Sequence, residues 1–120
     1  MASSITQIID KQTHDKVVDE SERTPTIIYV SNYALPICRE FTPQYEDLAQ
    51  KHSKEQSVVN FCQMEITSET SAMFKFSPNQ LPVLVLMCRG PWSKTMMSPK
   101  IGQLDTEIER MLERVGRLSN

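Results

Sequence analysis

The feature that most constrains the fold is an uninterrupted apolar run over residues 81–88, LPVLVLMC. Its length and its branched side chains predict a buried strand, and a strand tolerates a proline at its beginning. A second run over 26–30, TIIYV, follows Pro25 and has the same character. Strands without a polar face need cover on both sides, so the chain must place other elements against a sheet.

Two helices are predicted in the first half of the chain. Asp10 and Thr13 supply cap chemistry for a helix over 12–20, with Val17 and Val18 as its apolar contacts. The segment 32–37 is predicted to be a loop, and a second helix begins after it at residue 38. The apolar residues of that helix fall at spacings of three and four: Phe41, Tyr45, Leu48 and Ala49.

The second half continues the alternation of strands and helices. A short helix around 72–74, capped by Thr67 or Ser68, is predicted before Pro78. The clearest amphipathic helix covers 105–115 and is expected to end at Gly116, which suits a C-cap. One face of this helix carries the apolar side chains Leu104, Ile108, Met111, Leu112 and Val115.

Shorter strands at 5–9, 58–66 and 92–97 complete the pattern, which gives the order β-α-β-α-β-α-β-β-α. Parallel units of this kind place helices on both faces of a sheet, and the last hairpin adds an antiparallel edge. The prediction is an α/β fold with a central mixed five-stranded sheet, in a single domain over 1–120.

The charge balance argues against several classes of function. The chain has 13 basic and 15 acidic residues, a net charge of -2, and no basic block longer than two residues, so nucleic-acid binding has little support. No apolar run approaches the roughly 20 residues that span a bilayer. The N-terminus lacks the pattern of a secretory signal. None of the three glycines lies in a phosphate-binding arrangement, and no cofactor is expected.

The cysteines indicate a reducing compartment. Cys38, Cys62 and Cys88 form an odd set without a CxxC pair, which favours the cytoplasm, with the nucleus also open. His14 and His52 are far apart, and neither has a cysteine at ligand spacing. No zinc site is therefore predicted, and both histidines are expected to be solvated. The acidic residues of the last helix are expected to form its wet face or a charged contact: Asp105, Glu107, Glu109 and Glu113.

Specific residues resemble the thioredoxin family from about residue 5 to 118. Cys38 and Pro43 have the spacing of that family's second redox cysteine and helix proline. Leu81 and Pro82 resemble the cis-proline element before its fourth strand. The resemblance also marks departures, because Leu35 stands at the position of the nucleophilic cysteine. Tyr29 corresponds to the family's buried acid.

These departures disable dithiol exchange, which needs an exposed thiolate and a second thiol to resolve the mixed disulfide. Leu35 cannot form a thiolate, so no ordinary thioredoxin activity is expected. Two interpretations of Cys38 remain. It is a small buried residue that packs under the sheet, or it is the site of a monothiol enzyme that uses glutathione or a partner thiol.

A closer resemblance is to phosducin-like proteins, which are thioredoxin-like and lack the CxxC motif. It rests on ALPIC at 34–38, VNFCQ at 59–63, NQLPV at 79–83 and LDTEIERML at 104–112. This resemblance implies a binding role, with G-protein βγ subunits or as a co-factor of the cytosolic chaperonin. Because such proteins carry an N-terminal helical region, the chain would be an isolated domain or a reduced relative.

The sequence therefore predicts a redox-inactive adaptor, scaffold or co-chaperone-like module, and a homodimer is a further possibility. The predicted partner-binding residues are Leu35, Pro36, Ile37, Leu81, Pro82 and Trp92. Leu35, Pro36 and Ile37 would form an exposed apolar tip of the loop, and Pro82 would shape a groove that binds an extended peptide. Each of these residues also has a structural alternative. Leu35 folds inward onto Trp92 or the Pro82 loop, and Pro82 serves only to fix the conformation of the loop before the fourth strand. Trp92 packs in the core beneath the last helix.

Overall fold

A computed structural model describes residues 5–54, 58–67, 70, 78–89 and 92–119. The elements within these ranges are β1 Thr6–Gln7, α1 Lys11–Glu20, β2 Thr26–Ser31, α2 Pro36–Lys54, β3 Asn60–Glu65, a 3-10 turn at Pro78–Gln80, β4 Val83–Cys88, β5 Trp92–Met97 and α3 Ile101–Ser119. Across those ranges, every helix is too short or too polar to cross a membrane. The helix predicted around 72–74 lies outside the described residues.

The strands form one mixed sheet in the order β1-β3-β2-β4-β5. Strand β3 runs parallel to β1 and to β2, whereas β4 runs antiparallel to both of its neighbours, β2 and β5. The predicted mixed five-stranded α/β fold is therefore confirmed. The apolar run at 81–88 supplies β4, which is an interior strand of the sheet. This position explains why the run has no polar face.

Alternation along the strands divides the core into two clusters, one on each face of the sheet. Ile27 and Tyr29 point to the face covered by α2 and α3, where Leu104 and Ile108 are buried. Ile28 and Val30 point to the other face, where α1 contributes Val17. Successive side chains of a strand leave on opposite sides, so one short strand serves both clusters.

Helix α2 begins at Pro36, within the segment predicted to be a loop. A proline is well tolerated in the first turn, because the N–H that it lacks has no partner there in any helix. Cap chemistry at α1 is as predicted: the Thr13 N–H donates to Asp10 Oδ1 at 2.8 Å, and the Asp10 N–H donates to Thr13 Oγ1 at 3.1 Å. Val18, predicted as an apolar contact, is instead exposed.

Helix α3 is longer than predicted at both ends. It starts at Ile101, where the Lys100 carbonyl accepts the N–H groups of Gln103 and Leu104, and it continues through Gly116 to Ser119. The prediction that Gly116 ends the helix is wrong. A glycine in a helix costs about 1 kcal/mol, and packing of the apolar stripe outweighs that cost.

Candidate functional site

The register of the sheet brings four segments to one end. Ser31 ends β2 opposite Glu65 of β3, and Val30 lies opposite Val83, which itself pairs with Met97. The loop after β2, the residues before β4 and the residue after β5 are therefore neighbours. We call this region, residues 31–38, 65, 81–82 and 97–98, the loop end of the sheet.

Polar contacts fix the backbone at the loop end. The Glu65 carboxylate accepts the Tyr33 N–H at 2.7 Å and the Ser31 hydroxyl at 2.9 Å. The Arg39 guanidinium donates to the Tyr33 carbonyl at 2.7 Å. Both backbone groups of Tyr33 are thus held, while its side chain remains 52% exposed. The Tyr33 ring is therefore exposed on a backbone that hydrogen bonds hold in place.

Cys38 lies in the first turns of α2 with its side chain turned inward, 1% exposed. Burial is the largest influence on this thiol and raises its pKa, against a backbone hydrogen bond at Asn32 that lowers it. The other two cysteines, Cys62 and Cys88, are also buried, as the packing interpretation expected. Burial raises the pKa of the Cys62 thiol to about 12. All three thiols are therefore protonated near neutral pH.

Tyr29 lies directly beneath the start of α2. Its hydroxyl donates to the Cys38 carbonyl at 3.0 Å and lies 2.9 Å from Thr42 Oγ1. Its ring packs against Phe41 and Tyr45, with centroid distances of 5.3 and 4.8 Å. Burial raises the pKa of the phenol, so this group does not exchange protons near neutral pH. Tyr29 anchors the helix to the sheet.

The loop end brings together five of the six residues predicted to bind a partner. Pro36 and Ile37 are exposed, the latter by 49%, and Leu35 is half-buried against the cluster that contains Cys38. Leu81 and Pro82 are buried, and the bond between them is cis, as the resemblance implied.

Trp92, the sixth predicted residue, does not join them. It pairs with Cys88 at the opposite end of the β4–β5 hairpin and packs against the core cluster beneath α2 and α3. Leu35 packs against the cluster on the other face, so the two side chains do not meet. The idea that Leu35 folds onto Trp92 is wrong, because the sheet separates them.

Sequence reasoning missed two residues of the loop end. Tyr33 and Met97 are exposed by 52% and 54%. An aromatic residue between polar loop residues was a usable signal for Tyr33. Met97 belongs to an apolar strand with Trp92 and Met96, but its place beside Val83 depends on the register of two strands, which the sequence does not give.

Ser98 connects β5 to the cis-proline segment. Its N–H donates to the Pro82 carbonyl at 2.7 Å, and its hydroxyl donates to the Leu81 carbonyl at 2.8 Å. Its φ of 47° is in the left-handed region that side chains rarely adopt. The two hydrogen bonds hold this conformation. They also give the Leu81 carbonyl a hydrogen-bond donor from within the chain. A partner would therefore contact the loop end mainly through its exposed side chains.

One prediction about a polar residue is wrong. His52, expected to be solvated, is fully buried, and its Nε2 lies 3.2 Å from Asp105 Oδ1. Glu107, for which a wet face and a charged contact were both open, is buried and pairs with Lys94 at 3.1 Å and with Arg110 at 2.8 Å. Asp105 and Lys94 each lie on a different element from the residue they contact, and helical periodicity does not show such pairs.

Comparisons with known proteins agree on the fold. The sequence profile of the thioredoxin family matches residues 5–112. Thioredoxin from Trypanosoma brucei brucei has a TM-score of 0.74 at 15% identity, covering 94% of this chain and 95% of its own. Thioredoxin O2 from Arabidopsis thaliana has a TM-score of 0.72 at 17% identity, covering 93% and 97%. A search of curated protein sequences found no match. At such identities the structural likeness speaks for the fold alone.

Proposed function

The chain belongs to the thioredoxin family, and from that premise we propose that it is a redox-inactive interaction module whose loop end binds other proteins. The observation that carries the proposal is the pairing of Leu35 at the nucleophile position with a Cys38 side chain that is 1% exposed. In this view the fold supplies a binding surface in the role of an adaptor, scaffold or co-chaperone.

The chemistry of disulfide exchange supports the redox-inactive part. The attacking group must be a thiolate that reaches the substrate sulfur, and a second thiol must resolve the mixed disulfide. Leu35 offers no sulfur, and burial keeps the Cys38 thiol both hidden and protonated. The same two facts argue against the alternative of a monothiol enzyme that uses Cys38 with glutathione or a partner thiol.

The exposed side chains support the binding part. Tyr33, Pro36, Ile37 and Met97 present apolar surface at the loop end. Clustered exposed apolar surface marks interaction sites, and aromatic residues are enriched among the contacts that dominate binding energy. The bonds that hold the Tyr33 backbone reduce the ordering cost of binding, because less freedom remains to be lost.

The resemblance to phosducin-like proteins supplies the candidate partners, which are G-protein βγ subunits and the cytosolic chaperonin. A partner met in a reducing compartment accords with the free cysteines of this chain. A second copy of this chain is the other partner to be tested.

The test is direct binding of the purified full chain to purified βγ subunits and to purified chaperonin, measured beside its sedimentation at rising concentration. We expect saturable binding to one of the two assemblies. Ile37→Asp and Tyr33→Ala should each weaken it at least tenfold, because both side chains are about half exposed at the loop end and apolar contacts would be lost.

Val58→Asp is the matched control. Val58 is 69% exposed, and it precedes β3 at the other end of the sheet, where Asn60 pairs with Thr26. It should bind like the unaltered chain. Equal loss in the control, or binding unaffected by both loop-end variants, would contradict the proposed surface. Self-association that the loop-end variants abolish, without binding to either assembly, would replace these partners by the homodimer.

A further inference from the structure

Helices α2 and α3 bring three metal-binding residue types together outside the loop end. His52 lies in the last turns of α2, and Asp105 and Glu109 lie on α3. The His52 Nε2 is 3.2 Å from Asp105 Oδ1 and 4.0 Å from Glu109 Oε1. One ligand atom from each of the three residues lies within 4.8 Å of the other two.

The three side chains are positioned in different ways. The imidazole is 1% exposed and packs against the Phe61 ring at a centroid distance of 5.8 Å, so its Nε2 is held toward the carboxylates. Asp105 and Glu109 are four residues apart, which places them on one face of α3. The Glu109 side chain is 63% exposed and has room to adjust.

From this arrangement we propose that His52, Asp105 and Glu109 bind a zinc ion, with water as the fourth ligand. Zinc takes nitrogen ligands at about 2.0–2.1 Å and carboxylate ligands at about 2.0–2.2 Å, which puts tetrahedral ligand atoms roughly 3.3–3.5 Å apart. The separation of His52 from Asp105 already approaches this value. Zinc binding would require a rotation of the exposed Glu109 side chain, which would shorten its 4.0 Å separation from His52 and its separation from Asp105, which is at most 4.8 Å.

Lys51 contacts the same cluster without occupying the site. Its Nζ lies 2.9 Å from Asp105 Oδ2, whereas the histidine faces Oδ1. A ligating carboxylate commonly receives such an outer hydrogen bond, which orients the oxygen that faces the metal.

A metal ion bound here would join the end of α2 to α3. Since an unfolded chain does not hold these residues together, zinc binding stabilises the folded state, and the stabilisation grows with the logarithm of the zinc concentration above the dissociation constant. The site would act as a structural tie between two helices that cover the same face of the sheet. It is independent of the partner proposed for the loop end.

The experiment is calorimetric titration of the chelator-treated full chain with zinc chloride near neutral pH, in a non-thiol reductant and with magnesium chloride as a comparison ion. We expect one zinc ion per chain and no magnesium binding. Glu109→Gln should weaken zinc binding at least tenfold, because its carboxylate is a direct ligand. Cobalt titration of the same samples should give the visible absorption of a tetrahedral site in the unaltered chain and not in the variant.

Glu113→Gln is the control, an acidic residue one turn further along α3. It should bind zinc as the unaltered chain does. Asp105→Asn, checked for folding by circular dichroism, should lose binding as Glu109→Gln does. Absence of saturable zinc binding in the unaltered chain would overturn the proposal. Unchanged affinity in Glu109→Gln would also overturn it, because the ion would then be held elsewhere.

Discussion

The two ends of the sheet differ in how far their large apolar side chains are exposed to solvent. At the loop end Tyr33, Ile37 and Met97 are each about half exposed. At the other end, which we call the hairpin end (residues 25–26, 58–60, 88–89 and 92), the single tryptophan, Trp92, packs against the core. Val58 is exposed there, beside polar residues, and a lone exposed valine is ordinary on a protein surface.

The difference in apolar exposure follows from which groups the polar side chains bind. At the loop end Glu65 and Arg39 bind the backbone of Tyr33, so they fix the chain and leave the apolar side chains outside. On β5 the polar group of Lys94 instead reaches α3 and pairs with Glu107 above the core. At the loop end specific hydrogen bonds therefore hold the Tyr33 backbone while its ring stays exposed, as the proposed binding surface requires.

Trp92→Ala should have the largest effect on stability. Removing a large buried aromatic side chain costs about 3–5 kcal/mol, and because Trp92 is only partly buried we expect about 2–3 kcal/mol. Urea denaturation followed by circular dichroism measures the change, and partner binding should be retained. A loss of binding without a loss of stability would place Trp92 on the interaction surface and erase the contrast between the ends.

Glu65→Ala should have the next largest effect. The variant loses two hydrogen bonds to a charged acceptor, from Ser31 and from Tyr33. The Tyr33 bond is exposed and the Ser31 bond is partly buried, so we expect a loss of about 1–2 kcal/mol. Binding should weaken as well, because the Tyr33 backbone is released. The same denaturation series and the binding assay check both outcomes, and unchanged binding would contradict a role for the fixed loop.

Tyr29→Phe should cost about 1 kcal/mol, the usual net value of one hydrogen bond. The ring contacts remain, and the Cys38 carbonyl keeps the Thr42 hydroxyl at 2.9 Å as a donor. Reactivity of Cys38 toward an alkylating reagent should rise slightly, since the start of α2 is less firmly held. A loss above 3 kcal/mol would mean that the phenol does more than anchor this helix.

Ile37→Ser should have the smallest effect on stability, within about 0.5 kcal/mol, because surface substitutions away from special features are near neutral. Its side chain is 49% exposed in the first turn of α2. Thermal unfolding checks this expectation. A destabilisation like that of Trp92→Ala would show that Ile37 belongs to the core and that the two ends do not differ.

The fold could be predicted from the sequence because its signals are local. The apolar runs of β2 and β4 and the apolar stripe of α3 each lie within a short stretch of sequence. The order of these elements along the chain indicates the class of fold. The ends of α3 could not be predicted in this way. Gly116 has the chemistry of a helix end, and only packing against the sheet decides that the helix continues.

The candidate site was predictable only in part, for the same reason. Leu35, Pro36 and Ile37 follow from one loop and Leu81 and Pro82 from one motif, so local reasoning places each group at one position. Trp92 lies apart from them, because its position depends on which end of a hairpin it occupies. The contact between His52 and Asp105 joins residues 53 apart, and no spacing rule reaches that far.

The central claim is that Leu35 and a buried, protonated Cys38 leave the fold without a disulfide exchange reaction. The most direct test is turnover of a protein disulfide, such as that of insulin, by the purified chain with a small-molecule reductant, beside its Cys38→Ser variant. We expect both proteins to give the rate of the reductant alone. A rate above that background which the substitution abolishes would contradict the account.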